Sequence, residues 1–412
     1  MYLWNSEAVS NGHPDKVADQ IADSILDAVL SQDPTARVAS EVTILKDFVL
    51  LSGEITTTAK VNYEEVARNC LIRIGYDRMD NGFDARLCEV VNKIANQSPE
   101  IAAAVIKENG EIGAGDQGLM FGYATDETPT YMPWAHYLAF QFIGKIEEDI
   151  ARGRVCFDPK ERPWNSLFRP DAKTQVTLQY DDKGKIQRVH TVVISVCHKE
   201  DVTVGDLHGY LYDSVISPVQ KKFPEFFDKE TKYLVNPAGI WNVGGPASDT
   251  GLSGRKIVVD NYGPDSPIGG GSFSGKDPTK VDRSAAYAAR HLAKNLVAAG
   301  HAKQVWVQLS YAIGIVKPVS VRVIAKDSPR QVFKDGYWMD EWVSQLLTNL
   351  VQEIDLSPKG IIDRFNLRRP IYTETASGGH FGRDKFPWEQ LDLVGFFKDG
   401  FQKFIPDYSN KY

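Results

Sequence analysis

An α+β fold of three pseudo-symmetric units, each a mainly antiparallel sheet with helices on one face, is what the sequence predicts. The order helix, two-stranded hairpin, helix returns three times, and the hairpin strands alternate apolar with polar residues, as strands covered on one side do. Length agrees: 412 residues, at roughly 150 per domain, leave room for two or three domains and a sizeable core.

In the first unit, Val17, Ile21, Ile25 and Val29 recur every four residues between Pro14 and Leu30, and proline suits a first helical turn. RVASEVTIL and FVLLSGEIT follow as strands about a Lys46-Asp47 turn, then VNYEEVARNCLIRIG as a second helix. The second unit reads WAHYLAFQFIGKIEEDI, TQVTLQYDDKGKIQRVHTVVISV with a DDKGK turn, and DLHGYLYDSVISPVQ. The third reads VDRSAAYAARHLAKNLVAAG, VWVQLSYAIGIVKPVSVRVIAK and MDEWVSQLLTNLVQEI. Identity between the units is low, so the repeat is one of architecture. These patterns divide the chain into 1–101, 113–234 and 235–390. Between the first two units QSPEIAAAVIKENGEIGAGDQG has no strong periodicity, and a lid at 98–112 and a plain linker both suit it.

Composition narrows the function. A formal charge of -7, from 47 basic and 54 acidic residues, would repel a nucleic acid, so any phosphate site must be local. No apolar run of about 18 residues is present to span a membrane. Cys70, Cys88, Cys156 and Cys197 have no CxxC spacing and read as reduced core thiols. MYLWNSEAVSNGHPDK has no basic stretch followed by an apolar one, so a secretory leader is not expected and the cytoplasm is.

GGGSFSGKDPTK, residues 269–280, comes within one residue of a phosphate-loop pattern. Gly270, Gly275 and Lys276 fit the spacing, but Asp277 stands where a hydroxyl would hold magnesium, and the turn formers NYGPDSPIGG replace the buried strand that should lead in. A conventional kinase or ATPase is therefore disfavoured. Anion binding is not: three consecutive glycines open the backbone N–H groups, and Arg255, Lys256, Lys276, Lys280 and Arg283 lie close along an acidic chain. Asp277 reads as the N-cap of the next helix with Pro278 in its first turn. In NGHPDK, His13, Asp15 and Lys16 crowd a helix start, where cations oppose the helix dipole and so are not explained by helix stability. Asp19, Asp23 and Asp27 read as a solvated face, and Glu41 and Glu54 as carboxylates on exposed strand faces.

GHPDK at 12–16, GEITT at 53–57, GAGDQGLMFGYATDET from 113, RPDAKTQV from 169, GLSGRKIVVDNYG from 251, GGGSFSGKDPTKVDRSAAYAAR from 269 and HFGR at 380–383 together resemble the S-adenosylmethionine synthetase (methionine adenosyltransferase) family. The resemblance implies that family's three-unit fold. It also implies joining of ATP and methionine into S-adenosylmethionine, with tripolyphosphate released and hydrolysed to pyrophosphate and phosphate. Matched residue by residue, it implies ATP-binding roles for His13, Asp171, Lys173, Trp241, Asp249, Arg255, Lys256, Ser272 and Lys276, with His13, Lys173, Arg255 and Lys276 acting in catalysis. Glu54, Gln97, Asp116, Asp249, Lys280 and Ile313 would hold methionine. Two Mg2+ per site, at Asp15 and Asp282, and one K+, at Glu41, are implied, as are a homodimer with shared active sites and a homotetramer. Asn11 and Ile268 depart from the family pattern, where an acidic residue and a histidine are usual, but no residue with a direct role is missing, so activity is expected. A silent subunit would not need the complete charged set.

Overall fold

Each hairpin foreseen in the sequence forms, and each takes its next strand from a distant part of the chain. The computed structural model describes residues 1–78, 82–96, 111–155, 166–328 and 339–403; of the lid span, only 111 and 112 fall within them, and Gln97 and Cys156 lie outside. In chain order the strands are β1 (Tyr2–Val9), β2 (Arg37–Leu45), β3 (Phe48–Thr56), β4 (Asp77–Arg78), β5 (Phe83–Asp84), β6 (Glu89–Asn92), β7 (Gly118–Thr125), β8 (Phe168–Tyr180), β9 (Ile186–His198), β10 (Lys232–Val235), β11 (Gly251–Leu252), β12 (Gln304–Tyr311) and β13 (Ser320–Lys326). The helices that cover the sheets include α1 (Pro14–Leu30), α2 (Tyr63–Ile74), α3 (Trp134–Val155), α4 (Val281–Ala298) and α5 (Met339–Gln352), and the helical segments Val204–Leu211 and Ser217–Lys222 join α3 over the second sheet.

The three main sheets run β11-β2-β3-β6, β1-β8-β9-β10 and β13-β12-β7. In each, the hairpin's first strand is flanked by an antiparallel strand from another third of the chain. Gly251 faces Ile44, Ala8 faces Thr174, and Met120 faces Leu309. The exchange is cyclic, so the spans 1–101, 113–234 and 235–390 each send one strand into another span's sheet. β6 and β10 add parallel edges to the first two sheets. Sheet order thus departs from chain order, although the α+β class and the helix-hairpin-helix repeat stand.

Packing explains the alternation. Val17, Ile21, Ile25 and Val29 of α1 are fully buried against Val38, Val42 and Ile44 of β2 in one core that also takes in α4 and β12. Burial of each such side chain is worth roughly 1.5–3 kcal/mol. A second core lies between α3 and the β1-β8-β9 sheet and includes Leu138, Phe142, Val176 and Ile194. Cys70, Cys88 and Cys197 are buried and unpaired. Among the described residues no helix is long and apolar enough to cross a membrane.

One helix start differs from expectation. α4 begins at Val281 with Lys280 at its cap position, so Asp277 and Pro278 stand before it. Asp277 is fully buried; its carboxylate accepts the Val38 N–H at 2.8 Å, the Thr279 N–H at 2.9 Å and the Thr279 hydroxyl at 2.6 Å. A carboxylate that can tie its own turn to strand β2 satisfies more buried donors than a cap would. Through the same tie Ala39 of β2 bridges Lys276 on one side and pairs with Glu54 of β3 on the other.

Candidate active site

His13 occupies the N-cap of α1, with φ -62 and ψ 134, and its Nδ1 accepts the Asp15 N–H at 3.2 Å. A neutral imidazole that accepts through Nδ1 carries its proton on Nε2. Burial, then the nearby Lys256 and Lys173 ammonium groups, lower its pKa from 6.5 to about 3. At neutral pH His13 is therefore an uncharged donor. Burial by itself would raise the Asp15 pKa, but the hydrogen bond from Lys256 at 2.5 Å and the Leu252 N–H at 3.0 Å bring it below the ordinary value. Arg255 approaches the same carboxylate at 3.6 Å.

Four more of the matched residues lie on neighbouring elements. Lys173, exposed on β8, is the register partner of Val9, four residues before His13. Asp171 accepts the Gly245 N–H at 2.7 Å through Oδ2, while its Oδ1 is buried without a partner among the described residues. Burial raises the Asp171 pKa to about 6, with nearby Asp249 adding to the rise. Trp241 is half-buried, held by its N–H to His198 at 3.2 Å and by its indole N–H to the Val243 carbonyl at 2.8 Å. Glu41, exposed on β2, accepts the Ser253 hydroxyl at 2.6 Å.

A second group gathers at the start of α4. Lys276 pairs with Asp282 at 2.6 Å. The glycine stretch passes so close that a Cβ on Gly271 would fall 2.3 Å from the Asp282 carboxyl carbon, and one on Gly269 would fall 1.7 Å from the Leu119 carbonyl oxygen. No other residue type fits there. GAGDQG lies alongside: a Cβ on Gly115 would stand 3.0 Å from the Thr279 oxygen and 3.4 Å from the Lys280 side chain, which brings exposed Asp116 to this group. The 312–315 turn is fastened to it by Gly314 N–H to Ala114 O at 2.8 Å and Ala114 N–H to Ile315 O at 2.9 Å, which leaves Ile313 49% exposed. Ser272 bridges the groups, since a Cβ on Gly254 would meet its Cβ at 2.5 Å. Among the described residues no hydrogen bond or ion pair joins the side chains of His13, Asp15, Lys173, Arg255 and Lys256 to those of Asp116, Lys276, Lys280 and Asp282.

Two parts of the sequence reading are corrected here. Asp19, Asp23 and Asp27 are not a solvated face: Asp19 and Asp23 are fully buried, and each carboxylate receives backbone N–H groups from elsewhere in the chain. Asp19 accepts from Gly254 at 2.8 Å, Asp23 from Gly275 at 2.8 Å, and Asp27 from Tyr372 at 2.9 Å and Thr373 at 2.7 Å. Arg283 is likewise no surface cation. It is buried and forks onto Asp23 at 2.6 and 2.8 Å. Lys16, also buried, bridges Asp19 at 2.9 Å and Asp260 at 2.5 Å. The four-residue spacing of the aspartates was visible, but the backbone donors they accept from, and Arg283, lie more than 200 residues away.

Family models match in three consecutive blocks: S-adenosylmethionine synthetase N-terminal domain over residues 1–99, central domain over 111–241 and C-terminal domain over 243–390. Together they take in nearly the whole chain.

Proposed function

The chain belongs to the S-adenosylmethionine synthetase family, and on that premise we propose how its residues divide the work. The protein is a transferase that makes S-adenosylmethionine from ATP and methionine. A methionine sulfur lone pair forms the S–C5′ bond while the C5′–O5′ electron pair leaves with tripolyphosphate. No proton is removed from the nucleophile, so no general base is required. The demand falls on the leaving group, about four negative charges, which fixed donors and cations must meet.

His13 carries the proposal: a buried, neutral imidazole whose Nε2–H has no hydrogen-bond partner among the described residues, flanked by Lys173 and Lys256, suits donation to O5′ as charge develops there. Lys173, Arg255, Lys256 and Lys276 grip the polyphosphate. Ser272 and the opened glycine backbone contact it as well. The unpartnered Oδ1 of Asp171 is an acceptor that awaits a ligand N–H, and Trp241 offers an aromatic face to adenine. Glu54, Asp116, Asp249, Lys280 and Ile313 are assigned to methionine, with Gln97.

Asp15 and Asp282 would each hold magnesium as a single carboxylate, a donor type that suits this ion when substrate phosphates supply further oxygens; among the described residues no group of three or more His, Cys, Asp or Glu could hold a metal by itself. When bound, Mg2+ would neutralise the polyphosphate oxygens. Glu41 would serve potassium. In the single chain Lys256 and Lys276 neutralise these two carboxylates. Following the family resemblance, we assign the working form as a homodimer with shared active sites, in which the His13 group of one subunit faces the Lys276 group of its partner. Pairing of dimers into a homotetramer, a cytoplasmic compartment that keeps the three buried thiols reduced, and a lid role for 98–112 complete the proposal.

Phosphorus NMR and mass analysis of the protein with ATP, methionine, Mg2+ and K+ test it. S-adenosylmethionine, pyrophosphate and phosphate are expected; ADP and phosphate, or unchanged ATP, would overturn it.

A further inference from the structure

The two polyphosphate loops are hung from α1 by the same device. Ser253-Gly254-Arg255 and Ser274-Gly275-Lys276 repeat one tripeptide plan, serine, glycine, cation. Both glycines are left-handed, with φ 76 at Gly254 and φ 81 at Gly275. Both donate their N–H at 2.8 Å to a buried carboxylate of α1, Gly254 to Asp19 and Gly275 to Asp23, one helical turn apart. A side chain fits at neither, since a Cβ would fall 2.5 Å from Ser272 Cβ or 2.1 Å from the Ser40 carbonyl oxygen. In each loop the cation follows its stapled glycine directly.

We propose that Asp19 and Asp23 are positioning residues for adenosyl transfer, Asp19 setting where Arg255 and Lys256 stand relative to His13 and Asp15 on the same helix, and Asp23 setting where Lys276 stands. The inference rests on the reading of those three cations as polyphosphate grips. The charge of the staples is spent inside the protein. Asp19 is neutralised by Lys16 and Asp23 by the Arg283 fork. What reaches the site is therefore placement. Because catalysis of this kind depends on donors fixed at the departing charge, a shift of about 1 Å in a loop costs about 100-fold.

Asp19 is the cleaner test, because Asp260 still pairs with Lys16 when it is altered. Asp19→Ala is expected to lower kcat by about 10- to 100-fold with little change in KM for methionine. Asp19→Asn, which keeps an oxygen for the Gly254 N–H, should restore most of it. In an Arg255→Ala/Lys256→Ala background, Asp19→Ala should cost less than about threefold further, since its effect runs through those side chains. Equal losses in both backgrounds, or undiminished kcat in Asp19→Ala, would overturn the proposal. Should Asp19→Ala not fold, Asp19→Glu displaces the staple while keeping its charge, and wild-type turnover there would overturn it equally. Normal turnover in Arg255→Ala/Lys256→Ala would instead sink the site reading itself, whereas an impaired double variant with an unimpaired Asp19→Ala sinks only the positioning role.

Discussion

Substituting His13 separates two jobs that one side chain performs. Its Nδ1 caps α1 by accepting the Asp15 N–H at 3.2 Å, and its Nε2–H is assigned to the leaving O5′. Loss of a cap costs about 1 kcal/mol of stability, while loss of one donor at a developing oxyanion costs about 2.7–4 kcal/mol in the transition state, or 10²–10³ in kcat. His13→Ala should show both effects. His13→Asn should show only the second, because asparagine is among the best N-caps but its shorter amide does not extend to the imidazole Nε2 position. Steady-state kinetics and thermal melts of the two variants give the comparison. Linkage adds a pH signature. Between pH 6.5 and about 3 the unfolded chain takes up a proton that the buried imidazole refuses, so His13 contributes stability at neutral pH that is lost as pH falls through that window. His13→Asn should flatten this acid loss. A His13→Asn enzyme with kcat within about threefold of wild type would refute the donor role. So would a kinetic pKa near 6.5 that vanishes in that variant, since it would show the imidazole titrating in the working range.

Lys276→Ala and Lys173→Ala should each lower kcat by about 10²-fold or more while leaving the fold intact, by loss of charge at the leaving group; unchanged rates would remove that residue from the site. Trp241→Ala should raise the apparent KM for ATP with a smaller effect on kcat, by loss of stacking worth about 1 kcal/mol, and an unchanged value would exclude the aromatic contact. Arg283→Leu strands the buried Asp23 carboxylate and should destabilise the protein by about 3–5 kcal/mol in denaturant melts. Burial, opposed by the Asn11 N–H at 2.8 Å and by Arg383, raises the Glu147 pKa from 4.5 to about 7. Its folded form thus holds a proton that the unfolded form releases, and stability should fall as pH rises from 4.5 to 7, by at most about 3 kcal/mol; Glu147→Gln should abolish that slope.

Local periodicity carried most of the fold. α1 runs over Pro14–Leu30 as its four-residue apolar repeat requires, and the hairpins Arg37–Leu45 and Phe48–Thr56 turn at Lys46-Asp47. What periodicity could not carry was pairing across the chain. β1 alternates weakly, with Tyr2, Leu3 and Trp4 all exposed, because it is the flanking strand of a sheet whose core residues come from 168–198. β11 has two residues, too few for any pattern. Charge was misread for the same reason. A helix with aspartates at 19, 23 and 27 looks solvated until Arg283 and the glycine N–H groups arrive from distant segments and, with Lys16 of the same helix, bury them. The motif residues were legible because the glycines and cations are themselves adjacent in sequence; their buried supports were not.

Strand exchange is also what assembles the candidate site. β1 ends at Val9, so the strand lent to the second sheet runs straight into His13 and Asp15, and its register sets Val9 opposite Lys173. β11 ends at Leu252, so the strand lent to the first sheet delivers Gly254, Arg255 and Lys256 to α1. β7 begins at Gly118, two residues after Asp116, so the strand lent to the third sheet brings that carboxylate beside Lys280 and Asp282. In all three cases the chain crosses between sheets beside a residue assigned to substrate or metal. Three units that kept their own strands would hold the same helices and hairpins, yet His13 and Lys173 would lie in separate sheets with nothing to register them. The covalent crossings therefore fix the inter-unit seams, where side chains from three parts of the sequence must meet to within the fraction of an ångström that electrostatic stabilisation of a leaving group demands.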